Sequence, residues 1–177
     1  MIAYLVLLLA VVSRVVPHSW NITAVGGSLL YFGARRSRWQ AVIAMLALAA
    51  TDVYLTHFVY SYPFHVSAYL VTWLWYAGVC LLGHGLLSKN AGALRVTAAV
   101  LTSATSFFLI SNFAVWMGST LYAHSTAGLL ACYGVALPFY GNDLVSTALV
   151  AGSLFGLPAL GRKLAGYMNR HSNNAAA

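Results

Sequence analysis

Long apolar runs separated by short polar or basic junctions dominate the chain. A helix needs roughly 20 apolar residues to cross a bilayer's hydrocarbon core, and it must satisfy its own backbone there because lipid offers no hydrogen-bond partners. By that measure the pattern predicts six transmembrane helices, near residues 2–16, 20–34, 39–60, 66–88, 94–117 and 143–161. The first two are short for full spans, and Pro17 and the Gly26-Gly27 pair predict kinks or a connection that dips into the protein. Residues 124–138 form a further apolar stretch, broken at Pro138, which reads as a short helix over the outer surface; a seventh span is the competing reading. The expected fold class is an all-α integral membrane protein, a six-helix bundle with residues 1–171 as a single transmembrane domain. Residues 172–177 form a polar tail in which Ala175, Ala176 and Ala177 read as a cloning remnant.

Composition supports lipid as the solvent. The chain is 61% hydrophobic and 6% charged, too little polar surface for a water-soluble domain of this size. The formal charge of +7 does not point to nucleic acid, because the basic residues form no stripe or basic domain. They lie at the junctions: Arg35, Arg36 and Arg38 after span two, Lys89 and Arg95 between four and five, Arg162, Lys163 and Arg170 after six. Basic residues flanking spans favour the cytoplasmic side, so both termini are expected to be cytoplasmic. Met1 to Val16 lacks the basic start and cleavage site of a signal peptide, so the first span is expected to remain in the mature protein. There is no G-x-x-x-x-G-K-[ST] phosphate loop, so energy from ATP would have to come from a partner.

Two acidic residues, Asp52 and Asp143, leave few candidates for paired-carboxylate chemistry. Ionisable groups at membrane depth are costly and point to function. Arg14 and Asp52 are both expected toward the outer face, where they could pair; an ion pair that merely fixes the packing of two spans is the competing account. Outer segments are rich in aromatics, chiefly an interfacial belt, and Asn21, Thr23, Asn112 and Asn142 could place a ligand or serve helix-helix hydrogen bonding. Span four carries Trp73, Tyr76, Cys80 and His84 at steps of three, four and four, hence on one helix face. A thiolate is a soft metal ligand and an imidazole one turn away could be a second ligand or a base; a buried cysteine acting as a small hydrophobe beside a hydrogen-bonded histidine is the plainer reading. Two ligands do not complete a protein-built zinc site, and none is expected. Cys80 and Cys132 sit in apolar runs and make no disulfide framework.

Several stretches resemble the solitary substrate-binding subunits (S-components) related to energy-coupling-factor (ECF) vitamin transporters, and among them the BtuM-type cobalamin transporters. They are Arg14-Val15-Val16-Pro17-His18-Ser19-Trp20-Asn21-Ile22-Thr23, the W-L-W-Y-A-G-V-C run ending at Cys80, Asn112-Phe113-Ala114-Val115-Trp116, and the G-L-L-A-C-Y-G-V-A-L-P-F-Y-G-N-D run ending at Asp143. The resemblance implies an S-component-like bundle in a bacterial inner membrane whose outward cavity captures and imports a corrinoid. It also implies that Cys80 is an axial ligand to the corrinoid cobalt, displacing an upper ligand such as cyanide. One thiolate suffices there, because the corrin fills cobalt's equatorial positions. Trp73, Tyr76, His84, Arg14, Asn21, Asp52, Asn112 and Trp116 are the candidate residues around the ligand; His84 and Tyr76 are not carried by the resemblance. The expected partners are the corrinoid and the lipid bilayer around a monomer. Against an ECF-type energising module stands the spacing of Ala3 and Ala10, which are not at the four-residue step of docking S-components. With span four starting near residue 66, Cys80 would lie about 21 Å along it: either the cavity reaches past the midplane or the span starts later. A membrane haem or metal protein using His57, His65, His84 or His124, an S-component for another vitamin, and a ligand-free structural subunit are the alternatives.

Overall fold

Seven helices follow one another in the computed structural model, which describes residues 1–16 and 22–175. They are α1 (Ile2–Val15), α2 (Val25–Arg35), α3 (Ala41–Tyr54), α4 (Val66–Leu87), α5 (Ala93–Gly118), α6 (Thr126–Ala151) and α7 (Leu157–Ala175), with no strand among the described residues. A tight turn, Arg38–Gln40, leads into α3; wider helical turns extend α3 through Leu55–Val59 and join α6 to α7 through Gly152–Gly156. Four continuous stretches, Arg38–Val59, Val66–Leu87, Ala93–Gly118 and Thr126–Asn169, are long and apolar enough to cross a membrane; α1 is apolar but shorter. Their exposed Leu, Val and Ile side chains suit lipid as the surrounding medium.

At the centre lies α2, whose 11 residues cover only about 16 Å. It packs on α1, α4 and α6, and Leu29, Leu30 and Phe32 are fully buried. Glycines make these contacts close. A Cβ at Gly33 would run into the backbone of Cys80, one at Gly83 into the backbone of Leu30, and those at Gly26 and Gly27 into Thr147, Val150 and Ala151. Small residues let membrane helices approach closely enough for dispersion to hold them. The Gly26-Gly27 pair, expected as a kink, is therefore a packing surface inside a regular helix. Pro17 to Asn21 lies outside the described residues.

The end of the chain differs from the sequence expectation. No surface helix stops at Pro138: α6 is continuous from Thr126 to Ala151 with Pro138 inside it. A proline removes one backbone donor and crowds the carbonyl four residues earlier; that residue is Gly134, whose Cβ position is open space. Asp143, expected at the start of the last span, thus sits 17 residues into α6, about 25 Å from its beginning. Ala3, Leu7 and Ala10 are buried, so this face of α1 is turned into the bundle.

Candidate functional site

Arg14 stands in the last turn of α1, Asp52 near the end of α3, and Trp73 and Tyr76 in the middle of α4. Arg14 Nη2 donates to Asp52 Oδ1 at 2.5 Å, and Arg14 Nη1 donates to the Tyr76 hydroxyl. Trp73 Nε1 donates to Asp52 Oδ2 at 3.0 Å. Both oxygens of a carboxylate that is 3% exposed are thereby satisfied, as a charge at membrane depth requires. The expected Arg14–Asp52 pair forms, and two aromatic side chains extend it into a network joining α1, α3 and α4. Phe64, Tyr69 and Trp73 stack above it, with centroids 5.0 to 6.2 Å apart and planes within 25°.

This network borders a cavity of about 170 Å³ lined by Arg14, Thr23, Val25, Leu55, Tyr60, Trp75, Tyr76, Phe107 and Asp143. Its depth follows from where the helices end. Arg14 and Leu55 lie at the finish of α1 and α3, and Thr23 and Val25 at the start of α2, whereas Tyr76, Phe107 and Asp143 lie in mid-helix. Tyr76 is ten residues into α4, about 15 Å from its first residue. The short helices form a floor at that level, and α4, α5 and α6 rise beyond it as walls. Larger apolar grooves of about 510 and 450 Å³ run along the bundle's outside, between the α1–α2 connection and α6 and between α4 and α5. Their described lining residues carry no charge.

Cys80 lies one turn beyond Tyr76, 1% exposed and packed in the core cluster with Leu29, Leu30 and Val79. Because α4 begins at Val66, the depth inferred from sequence stands, and the cavity reaches to within a turn of the thiol. Cys80 is not among the cavity's lining residues. His84, a turn further, donates Nδ1–H to the Arg36 carbonyl at 3.1 Å, the carbonyl fixing that nitrogen as donor. It serves the opposite end of the bundle. Asn112 Nδ2 donates to the Phe108 carbonyl and Trp116 Nε1 to the Ala123 carbonyl, both along the α5–α6 hairpin that extends past the cavity. The structure does not bring these three to the cavity, and Asn21 falls outside the described residues. Cys132 is also buried and free; its thiol faces the Asn112 carbonyl at 3.5 Å. Among the described residues no three His, Cys, Asp or Glu side chains gather as a metal site would require.

Sequence reasoning did not select Asp143, Trp75 or Phe107. For Asp143 the signal existed: it is one of two acidic residues in the chain.

Fold and cavity define a helical membrane protein with a polar, charged pocket at mid-helix depth. The chain belongs to a family of unknown function, DUF6580, which it matches over residues 1–168. No curated protein and no solved structure matches it.

Proposed function

We propose that the protein captures a corrinoid, cobalamin, for uptake across a bacterial inner membrane, as a six-helix transmembrane bundle in which α1 and α2 reach only part of the way, with both termini cytoplasmic and Cys80 as axial ligand to cobalt. The observation that carries this reading is the placement of Cys80 one helical turn beneath a mid-depth cavity bounded by flat aromatic side chains and the Arg14–Asp52–Tyr76–Trp73 network. A flat macrocycle with an apolar face and polar rim matches stacked rings beside placed polar groups. The orientation is supported by Arg35, Arg36, Arg38, Lys89, Arg95, Arg162 and Lys163, which belong to the ends of helices opposite the cavity's open side.

Pockets for drug-sized ligands measure roughly 300–1,000 Å³ and a corrinoid is larger still, so capture requires the helices around the cavity to part, carrying Tyr76 and Arg14 aside and uncovering the thiol. Exchange on cyanocobalamin then balances without redox chemistry. The Co–S bond forms, the Co–CN bond breaks with its electron pair leaving on cyanide, and the thiol proton leaves as hydrogen cyanide; cobalt stays trivalent.

The test is the cobalt content and visible spectrum of protein purified with and without added cyanocobalamin. Bound cobalt with a shifted corrin spectrum, lost in Cys80→Ser and kept in Cys132→Ser, is the expected result. Iron with a haem spectrum, or no bound corrinoid, would overturn the reading; an unchanged shift in Cys80→Ser would remove the thiol from it.

A further inference from the structure

Asp143 is 7% exposed and lines the cavity with Arg14, yet its Oδ2 is closed to solvent and has no hydrogen-bond partner. Among the described residues, Thr147 Oγ1 alone reaches the carboxyl, donating to Oδ1 at 3.5 Å. Asp52 is the opposite case, with Arg14 on one oxygen and Trp73 on the other. The chain holds two acidic residues in all, and the second lines the same cavity as the arginine that pairs with the first. Ionised throughout, the group carries one positive charge against two negative ones, and an uncompensated charge in a low-dielectric interior is expensive.

Three kinds of occupant would balance it: a metal cation, a cationic group of a ligand, or a proton. A hard cation wants about six or more oxygens around it, and no cluster of metal-ligating side chains surrounds Asp143 among the described residues. A ligand group needs room at Oδ2, which is closed. A proton needs no volume.

We propose that Asp143 is a proton-binding site of the cavity, and that its proton sets whether Arg14 stays on Asp52. With the proton bound, the three groups sum to zero and Arg14 is left to Asp52 and Tyr76, the arrangement observed. With the proton gone, a second carboxylate on the same cavity competes for the guanidinium and draws it away from Tyr76, the residue one turn above Cys80. Proton binding and opening of the floor are then linked, whatever ligand the cavity takes. Among the described residues, the titratable groups that share the cavity with Asp143 are Arg14 from α1, Tyr60 from the connection after α3, and Tyr76 from α4. From α2 and α5, which pack against α6, the cavity receives Val25 and Phe107; Tyr31, Arg35 and Arg95 lie further along those helices toward their basic ends.

Two side-chain carboxyls make infrared spectroscopy decisive. Protein in an ester-free maltoside detergent, carrying aspartate with a ¹³C side-chain carboxyl, should show one isotope-shifted C=O band of a protonated acid that grows as the pH is lowered from neutral to mildly acidic. The band should vanish in Asp143→Asn and change frequency in Asp143→Glu, which also decides the assignment should the asparagine variant fail to fold. Absence of an acid band from the labelled wild type would overturn the proposal. So would its persistence in Asp143→Asn or an unmoved band in Asp143→Glu.

Discussion

Arg14 and Asp52, 38 residues apart in the chain, meet at 2.5 Å across α1 and α3, and the same guanidinium reaches Tyr76 on α4. One side chain therefore ties together three helices, two of which, α3 and α4, are also joined by the hydrogen bond from Trp73 to Asp52. Removing one partner of a buried pair strands the other charge, at about 3–5 kcal/mol. The two removals should not be equal here. Arg14→Gln strands the Asp52 carboxylate with Trp73 as its one remaining partner, whereas Asp52→Asn leaves Arg14 the Asp143 carboxyl on the same cavity, which can ionise to balance it. Thermal unfolding in detergent should rank Arg14→Gln as the more damaging, with the double variant losing less than the sum of the singles. Additive losses would show that the pair is not coupled.

Gly33 and Gly83 should tolerate no side chain, since a Cβ at either meets the partner helix's backbone instead of a flexible side chain. Gly33→Ala and Gly83→Ala should each cost about 1–3 kcal/mol or more through overpacking. Gly78→Ala and Gly85→Ala, on the same α4 but facing open space, should be neutral or stabilising by up to about 1 kcal/mol from helix propensity. Melting temperatures of the four variants separate close packing from a general effect of glycine replacement.

These contacts also mark where the sequence was legible. Arg14 and Asp52 could be paired in advance because a charge in an apolar chain must find its opposite. The common face of Trp73, Tyr76, Cys80 and His84 was likewise readable from spacing. Depth was not: the face runs from the aromatic stack past the cavity to the Arg36 carbonyl, so the four residues serve different levels. Gly26 and Gly27 looked like a kink because glycine's meaning depends on a partner, Thr147 to Ala151, more than a hundred residues away. Asp143 was displaced by treating Pro138 as a helix end. That inference suits water, where freed backbone groups are solvated and the helix can stop; an apolar helix keeps its internal bonds on either side of the proline because lipid offers no substitute.

Pro138 supplies a direct check of that argument. If α6 runs through it, Pro138→Ala restores a donor to the Gly134 carbonyl and should leave the protein folded with an equal or higher melting temperature, bounded by the roughly 3 kcal/mol difference in helix propensity. Single cysteines placed over 130–142 in a Cys80→Ser, Cys132→Ser background should label with one continuous period near 3.6. A break in that period at Pro138 would restore the surface-helix reading.

Cys80 offers the sharpest consequence of the floor. The residue is 1% exposed, one turn beneath Tyr76, and Tyr76 is held by Arg14, so reaction with N-ethylmaleimide should be slow until that hydrogen bond is broken. Alkylation requires access of the reagent to the sulfur, and the packing withholds it. Tyr76→Ala removes the ring outright and Arg14→Gln releases it, so each should speed labelling of Cys80, read by peptide mass spectrometry, with the larger effect in Tyr76→Ala. Cys132, buried against α5 at the other end of α6 from Asp143, is the internal reference and should keep its rate in all three proteins. A parallel rise at Cys132 would mean that the variants have loosened the whole bundle. Rapid labelling of Cys80 in the wild type would show that the thiol is open without movement of Tyr76, and the floor would then not guard it.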